Sequence, residues 1–403
     1  MSISQFAVWC TDLVLLVSTS GVFIICLFFL IECTAALLDF PSCASTDGWQ
    51  NARVAVLVPA HNEEIVIGST LEQLTRTLKK QDRLVVIADN CSDATAEISR
   101  KKGAMVIERH DQDRKGKGYA LDYGLQFIQS DPPDVVVFVD ADCTVHGSAI
   151  EHLTQYAIAT SRPVQATYLM PRSKNSQSSK DLVSQFANIV RNLVRPCGLA
   201  RLGQPCPLLG TGMAFPWSVI RSVNVANGHL LEDLKLGLDL TLAGHKPIFC
   251  PEAKVTGYLP QQLQAAKSQK TRWEHGHLQL MQTYIPILLV EAMYQKRFGL
   301  LVSVLDLCVP PLSLLAVIWS VLMAVSFLFA VLGASWIPAA IVATAGFCFL
   351  IAIFTAWSKF ARQEIPLLQL LTIPFYVFWK IPLYFKFLVK PQNVWVRTER
   401  DNI

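Results

Sequence analysis

Three groups of polar residues directly follow short apolar segments, and their side chains suit ionic and metal chemistry. The first is ValProAlaHisAsnGlu at 58–63, the second begins at Asp89, and the third is AspAlaAsp at 140–142. Two carboxylates that flank a small alanine either cap a helix or hold a divalent cation through hard oxygen ligands. Because a cap needs only one carboxylate, the pair at 140–142 favours a cation that neutralises a diphosphate.

The sequence context of this acidic pair distinguishes it from a chance pattern. Asp111 and Asp113 have the same spacing, but they follow a charged stretch. Asp140 instead follows the segment 134–139, which is typical of a buried central strand. Open α/β sheets bind ligands beyond the carboxyl ends of such strands, so the context favours the pair that begins at Asp140.

Strands and helices that alternate along the chain would position these groups. The predicted strands are 53–59, 83–88, 104–108 and 134–139, and the predicted helices between them are 62–79, 93–102 and 117–129. This alternation predicts βαβ units, an α/β fold with a parallel sheet, and a ligand site at the carboxyl edge of that sheet.

The composition divides the chain into a polar block and apolar ends. Of the 403 residues, 52% are hydrophobic and 16% are charged, whereas soluble domains have about 25% charged residues. Between Phe298 and Ser358 the only charged residue is Asp306. The net charge of +4 is too small for a phosphate-binding surface, so no nucleic-acid partner is expected. These features predict a domain anchored to a membrane.

The charge pattern also predicts a multi-pass topology. The predicted segments are an extracytoplasmic N-terminus at 1–12, transmembrane helices at 13–38, 302–332 and 336–357, an interfacial or re-entrant helix at 366–389, and a cytoplasmic tail at 390–403. Basic residues are absent before Arg53 and abundant after it, which favours a cytoplasmic polar block. The scattered cysteines contain no CxxC pair and favour reduced thiols over disulfides.

Three membrane-proximal features allow more than one interpretation. Lys380 and Lys386 lie within the segment 366–389, and we expect them at the level of the lipid headgroups. Asp306 adjoins Pro310-Pro311, which favours a cap or an interfacial role over a proton relay. The histidines at 275 and 277 are two residues apart, so a helix would separate them, and packing or acceptor contacts are favoured over a metal site.

Six short motifs occur in the order typical of membrane-bound family 2 glycosyltransferases, which the chain therefore resembles. The motifs are ProAlaHisAsnGlu (59–63), AspAsnCysSerAspAlaThr (89–95), GlyLysGlyTyrAlaLeuAsp (116–122), AspAlaAsp (140–142), GluAsp (232–233) and GlnLysThrArgTrp (269–273). That family includes cellulose, chitin, hyaluronan and poly-N-acetylglucosamine synthases and ceramide glucosyltransferase. The resemblance implies a GT-A domain, a Rossmann-like nucleotide-diphospho-sugar transferase fold, at 50–260. An amphipathic interfacial helix region at 261–297 then carries the GlnXXArgTrp motif.

The resemblance implies a donor site for a nucleotide sugar. Pro59, Glu63 and Asp89 would line the pocket for the base and ribose, and Lys117 would lie near the nucleotide. Asp140 would approach the ribose and diphosphate, and together with Asp142 would hold Mg²⁺ or Mn²⁺. Asn90 and Cys91 stand where the family often has a second acid and a glycine, which would alter the ribose contacts.

The resemblance also implies the catalytic residues. Asp233 would be the general base, supported by Glu232, since a sugar hydroxyl ionises far above neutrality and needs a carboxylate nearby. Within the motif that begins at Gln269, Arg272 would contact the diphosphate and Trp273 would close the acceptor side. From the residues alone, Glu232-Asp233 equally suits a helix N-terminus, and both roles are compatible. Likewise, GlyThrGlyMetAlaPhe at 210–215 suits either an acceptor loop or an ordinary turn.

These residues predict an inverting, metal-dependent hexosyl- or N-acetylhexosaminyltransferase in the cell inner membrane. The donor would be a UDP-sugar, and the acceptor a glycan or lipid-linked intermediate of exopolysaccharide or capsule biosynthesis. A processive synthase that extrudes its polymer is an alternative, although about three membrane spans favour single transfers. A non-catalytic scaffold that binds export partner proteins is a third hypothesis, but it predicts degraded motifs, and every expected acid is present.

Overall fold

The computed structural model describes residues 3–39, 49–171, 179–258 and 263–389. Within these ranges, eight strands form one mixed sheet in the order β3-β2-β1-β4-β7-β6-β8-β5. The strands are β1 (Val54–Ala60), β2 (Arg83–Asp89), β3 (Met105–Arg109), β4 (Val135–Phe138), β5 (Thr144–His146), β6 (Val164–Leu169), β7 (Met213–Pro216) and β8 (Ile248–Thr256).

The described helices surround this sheet and continue into an apolar bundle. They are α1 (Ile3–Ala35), α2 (Ile67–Thr77), α3 (Thr95–Lys101), α4 (Lys117–Ile128), α5 (Ala149–Thr160), α6 (Ser179–Ile189), α7 (Arg195–Arg201), α8 (Trp217–Ile220), α9 (Glu232–Leu242), α10 (Leu263–Gln295), α11 (Phe298–Cys308), α12 (Leu312–Val331), α13 (Ile337–Phe360), α14 (Leu367–Leu370) and α15 (Ile373–Val389). A π-helical turn, Val190–Val194, joins α6 to α7.

The first four strands confirm the predicted βαβ units. Strand β1 pairs in parallel with both β2 and β4, and β2 pairs in parallel with β3. Continuous valine, leucine and isoleucine segments suit these strands because helices cover both faces of the sheet. Beyond β4 the sheet is not parallel as predicted but mixed, because β7 runs antiparallel to β4 and β6.

The strand order places the site at a crevice between β1 and β4. The chain proceeds from β1 to β2 and β3 on one side and then returns to β4 on the other side. Helices on opposite faces of the sheet leave a ligand crevice at such a switch point, beyond the carboxyl ends of the strands. Residues 59–63 and 140–142 lie at this edge.

Helix α2 begins later than predicted. The sequence predicted a helix from 62, but the structure begins α2 at Ile67. Asn62 has a φ of 55°, outside the right-handed helical region, and its side-chain oxygen accepts a hydrogen bond from the Ser92 backbone at 2.7 Å. The residues between β1 and α2 therefore form a loop that is tied to the loop after β2.

Four described segments have the length and apolar composition to cross a membrane: Trp9–Ala35, Leu312–Val331, Ile337–Phe360 and Leu367–Tyr384. The predicted span 302–332 is divided in the structure. Helix α11 ends at Cys308 and α12 begins at Leu312, because Pro310 and Pro311 supply no backbone donor to continue a helix. The segment 366–389 has the composition of a span, and its interfacial placement stays a prediction.

Two contacts locate the ends of the membrane helices. The Ser335 backbone N–H donates to Asp12 Oδ1 at 3.1 Å, so the first turns of α1 and the α12–α13 turn lie at the same end of the bundle. Lys380 is only 6% exposed, and its ammonium pairs with Glu274 of α10, while its expected place at headgroup level stays a prediction. The side chain of Lys386 and the tail 390–403 lie outside the described part of the chain.

A buried ion cluster joins the membrane helices to the catalytic domain. Arg195 of α7 donates through Nε to Glu32 of α1 at 2.8 Å and through Nη2 to Asp306 of α11 at 2.6 Å. Asp306 is therefore an ion-pair partner and not a helix cap, while its interfacial position stays a prediction. Glu32 is fully buried, and a side chain at Gly198 of α7 would lie 2.0 Å from the Glu32 carbonyl oxygen. Helices α1 and α7 therefore approach each other closely beside Glu32, the same residue that pairs with Arg195.

Removal of the shared cation should destabilise the protein strongly. We expect Arg195→Met to lower the free energy of unfolding by about 3–5 kcal/mol, because two buried carboxylates lose their counter-charge. Thermal or denaturant unfolding of the solubilised full chain measures the effect. Arg362→Met, at an exposed arginine, is the matched control. Equal stability of the two variants would contradict this role for the cluster.

Candidate active site

All eleven residues that the sequence assigns to the site line one cavity of about 660 Å³ at the carboxyl edge of the sheet. They come from the loop after β1, the ends of β2 and β4, and the starts or interiors of α4, α9 and α10. The residues are Pro59, Glu63, Asp89, Lys117, Asp140, Asp142, Glu232, Asp233, Gln269, Arg272 and Trp273. Segments separated by more than two hundred residues thus meet at one site.

An ion pair fixes Asp89 at one end of the cavity. Asp89 and Arg109 are partners in the parallel register of β2 and β3, and Arg109 Nη1 donates to Asp89 Oδ1 at 2.6 Å. Burial raises the pKa of Asp89 while the Arg109 guanidinium opposes that shift. Arg109 was not predicted to act here. Its position one residue after the predicted strand 104–108 was the available signal.

Lys117 lies at the centre of the acidic part of the cavity. Its ammonium contacts the Asp140 carboxylate, donates to the Gly210 carbonyl at 2.6 Å and lies 3.8 Å from Glu232 Oε1. Burial acts to lower the pKa of Lys117, but the carboxylates of Asp140 and Glu232 raise it above its ordinary value. The lysine therefore stays charged and offsets the repulsion between these acids.

The residues after β4 fit a hard divalent cation. Ligand atoms of Asp140, Asp142 and Cys143 lie within 4.8 Å of one another. Burial raises the pKa of the Cys143 thiol well above its usual range, so this soft group stays protonated and does not suit Mg²⁺. The two carboxylates do suit it, since Mg²⁺ binds through one or two carboxylates and completes its shell with substrate phosphates and water. The Lys117 contact with Asp140 shows that a positive charge is favoured at this point.

The acidic pair lies at the start of α9, which confirms the predicted helix N-terminus and leaves the catalytic role of Asp233 a prediction. Glu232 and Asp233 occupy the first turn of α9, where the helix dipole stabilises negative charge. Burial and the neighbouring Asp233 charge raise the pKa of Glu232 to about 7. A side chain at Gly210, whose φ is 95°, would lie 3.1 Å from Asp233 Oδ2. The loop 210–215 therefore borders the candidate base, and its contact with an acceptor stays a prediction.

The motif on α10 presents polar atoms without protein partners. Gln269 Oε1 and Arg272 Nε are buried and make no hydrogen bond within the described residues, although both side chains line the cavity. Buried polar atoms rarely remain unpaired, so such atoms indicate a ligand. His277, by contrast, lies with Nε2 3.1 Å from the Leu307 carbonyl and joins α10 to α11, the packing role that its spacing favoured.

The sequence did not predict the contribution of α6 and the π-helical turn. Asn188, Arg191 and Asn192 line the cavity, and Arg191 makes no hydrogen bond or ion pair within the described ranges. A π-helical turn inserts an extra residue into the helical repeat, a feature often found at functional sites. Because apolar periodicity does not reveal such a turn, only the structure shows which residues of this segment reach the cavity.

Known proteins similar to this chain include glycosyltransferases. A family model described as glycosyltransferase like family 2 matches residues 52–276. The probable glycosyltransferase YdaM of Bacillus subtilis (strain 168) is 29% identical over 56% of this chain and 55% of its own length. The poly-beta-1,6-N-acetyl-D-glucosamine synthase of Staphylococcus aureus (strain COL) is 24% identical over 66% of this chain and 62% of its own length. The chain thus spans little more than half the length of these relatives.

The fold is also similar to that of a solved structure. The mannosyltransferase PcManGT from Pyrobaculum calidifontis, solved in complex with GDP-Man and Mn²⁺, matches with a TM-score of 0.55 and 15% identity. The match covers 88% of this chain and 99% of that protein. At this identity the likeness shows the GT-A fold alone. The family model, which matches more than half of the chain, shows that this protein belongs to the family 2 glycosyltransferases.

Proposed function

We propose that the protein transfers a sugar from a nucleotide sugar, UDP-linked, to a hydroxyl group of a membrane-associated glycan or lipid-linked acceptor, with inversion at the anomeric carbon. The observation that carries this proposal is the convergence of all predicted site residues on one cavity. That cavity combines a carboxylate pair suited to a cation, a separate candidate base and an arginine with an unpaired donor.

The donor side of the site suits a diphosphate. Asp140 and Asp142 would hold Mg²⁺ or Mn²⁺, which supplies positive charge to the leaving nucleoside diphosphate. Arg272 would donate its unpaired Nε–H to a phosphate oxygen, a charge-assisted hydrogen bond. Lys117 remains charged beside them and screens the neighbouring carboxylates. The GDP-Man and Mn²⁺ bound by the Pyrobaculum enzyme support a nucleotide sugar and a divalent cation.

The acceptor side of the site suits base catalysis. Asp233 would accept the hydroxyl proton while the hydroxyl oxygen attacks the anomeric carbon from the face opposite the diphosphate. The bond between that carbon and the diphosphate oxygen breaks, and the diphosphate leaves with the electron pair. One displacement with one base inverts the anomeric configuration. Gly210 leaves room beside Asp233 because it carries no side chain.

The membrane helices and the relatives support a proposal for the cellular role. We place the protein in the cell inner membrane, with the catalytic domain in the cytoplasm, and in exopolysaccharide or capsule biosynthesis together with export partner proteins. The likeness to the Staphylococcus synthase keeps a processive polymerase as the second candidate. Mass analysis of the product, after a screen of nucleotide sugars for diphosphate release, separates the two. A discrete glycoconjugate supports single transfer, and a long polymer contradicts it.

Replacement of the proposed base should remove turnover but not donor binding. We expect Asp233→Asn to reduce kcat by about 10²–10⁴-fold, the usual contribution of a general base. Nucleoside diphosphate release by the full chain in membranes measures kcat, and equilibrium binding measures affinity for the nucleotide. Asp113→Asn, at an exposed aspartate outside the cavity, should behave as the wild type. Turnover that persists in Asp233→Asn would refute the assignment.

Replacement of the proposed ligand should weaken cation binding. We expect Asp142→Asn to reduce Mn²⁺ affinity by more than about 10-fold. Residues that only hydrogen-bond to a metal ligand already contribute about this much, and a direct ligand should contribute more. Electron paramagnetic resonance of free Mn²⁺ reports binding without any need for turnover. Asp113→Asn again serves as the control, since it alters the other AspXAsp pattern of the chain. Equal Mn²⁺ affinity in the two variants would contradict the metal site.

A further inference from the structure

A second cavity of about 800 Å³ opens among the membrane-proximal helices and adjoins the candidate active site. Its walls come from α6, α10, α12, α13 and α15. Asn188, Arg191 and Trp273 line both cavities, so the second cavity begins where the first one ends.

The walls of this cavity change from polar to apolar along its length. Near α6 and α10 the lining includes Asn188, Arg191 and Lys270, whereas along α12 and α13 it consists mainly of apolar side chains such as Val317 and Phe349. Such a gradient matches a molecule that has a polar head and an apolar tail.

The reach of the cavity matches one leaflet of a bilayer. The lining extends along α12 from Leu312 to Val321, about 14 Å at roughly 1.5 Å per residue. The hydrocarbon core of a membrane is about 30 Å thick. The lining thus covers about half of that thickness and leaves the remainder of α12, as far as Val331, outside the cavity.

Two cations at the polar end of the cavity make no direct ion pair within the described part of the chain, although the charges of Glu274 and other carboxylates act on them from a distance. Neither Arg191 nor Lys270 makes an ion pair or hydrogen bond with any residue that the structure describes. Burial and the nearby Lys380 ammonium lower the pKa of Lys270 to about 8, so an anion would stabilise its charged form. The other cations in the lining are occupied, since Lys380 pairs with Glu274, and Arg195 pairs with Glu32 and Asp306.

We propose that this second cavity binds the acceptor and that the acceptor is a sugar linked through phosphate to a lipid chain. The chain lies along α12 and α13, the phosphate contacts Arg191 and Lys270, and the sugar extends past Trp273 towards Asp233. This inference rests on the proposed function because it names the acceptor of the same reaction. The shared position of Arg191 and Trp273 between the two cavities connects the lipid to the donor.

The reaction balances with this acceptor. A hydroxyl oxygen of the lipid-linked sugar bonds to the anomeric carbon of the donor sugar, and the bond from that carbon to the nucleoside diphosphate breaks. The diphosphate leaves with the electron pair, and the hydroxyl proton passes to the Asp233 carboxylate and then to water. The lipid phosphate keeps its bonds throughout.

The apolar lining disfavours a growing polysaccharide as the occupant. A glycan chain carries several hydroxyl groups per sugar, and each one costs free energy when it is buried without a hydrogen-bond partner. The walls formed by α12 and α13 offer few polar side chains. A hydrocarbon chain gains free energy from the same walls.

Photochemical labelling tests the cavity independently of turnover. The full chain in phosphatidylcholine nanodiscs is irradiated with dodecyl phosphate that carries a diazirine at the end of its chain, and labelled peptides are mapped. We expect labels within 312–321 and 346–354, suppressed by unlabelled dodecyl phosphate but not by dodecanol or inorganic phosphate. Labels elsewhere, or equal suppression by dodecanol, would overturn the proposal. Equal labelling by a diazirine phosphatidic acid would show a general phospholipid site and would also overturn it.

Variants with matched controls assign the contacts. Lys270→Met should reduce labelling by about 10-fold, the loss expected for one charge-assisted contact, whereas Lys267→Met, an exposed residue on the same helix, should not. Ala316→Phe would fill the cavity and abolish labelling, whereas Ala324→Phe, exposed on the same helix, should retain it. Labelling that persists in Lys270→Met and Ala316→Phe would refute the proposal.

Measurements of nucleotide binding and of nucleoside diphosphate release distinguish failure of the acceptor proposal from failure of the transferase proposal. If Ala316→Phe binds nucleotide as the wild type does but loses transfer to a synthetic polyprenyl-diphosphate sugar, the acceptor site is supported. If the wild type transfers sugar to a soluble methyl glycoside as well as to the lipid, the acceptor proposal fails and the transferase proposal stands. If the wild type releases no nucleoside diphosphate with any nucleotide sugar, the transferase proposal fails.

Discussion

Of the six carboxylates that line the cavity, four form two pairs that are adjacent or nearly adjacent in sequence, and the compensation of the repulsion between these pairs is the constraint on which the site depends. Asp140 and Asp142 follow a central strand, and Glu232 and Asp233 begin a helix, so the fold itself brings the two pairs together. Lys117 contacts Asp140 and lies 3.8 Å from Glu232, which makes it the bridge between the pairs. The excess of negative charge favours a cation in the cavity, and under the proposed mechanism one of these carboxylates, Asp233, accepts the hydroxyl proton.

Two further cationic residues of the cavity come from elements held by the membrane bundle. Arg272 lies on α10, whose Glu274 pairs with Lys380 of α15. Arg191 lies in the π-helical turn that leads into α7, where Arg195 connects α1 with α11. Buried ion pairs contribute little net stability, but they are costly to break and they specify one arrangement. The position of the bundle therefore determines where the positive side of the active site lies.

The sequence predicted the parts of the structure that depend on local patterns. The four parallel strands and the polar groups after them followed from apolar segments that end in charged residues, and the resemblance supplied all eleven site residues. Contacts between distant segments were not predictable. Nothing near Glu32, Arg195 or Asp306 indicates that these three residues meet, because each contact joins residues more than a hundred positions apart. The π-helical turn escaped prediction because its extra residue breaks the period on which helix prediction relies.

The same distinction explains why the partner of Lys380 was not predicted. A lysine within an apolar helix is expected to extend its ammonium to the headgroups, and local sequence offers no reason to expect otherwise. In the folded chain the Lys380 ammonium pairs with the Glu274 carboxylate. Glu274 directly follows Trp273 in the sequence. This charge pair lies in the wall of the second cavity and is neutral overall. Arg191 and Lys270 make no direct ion pair within the described residues, and under the acceptor proposal they are the cations that meet the lipid phosphate.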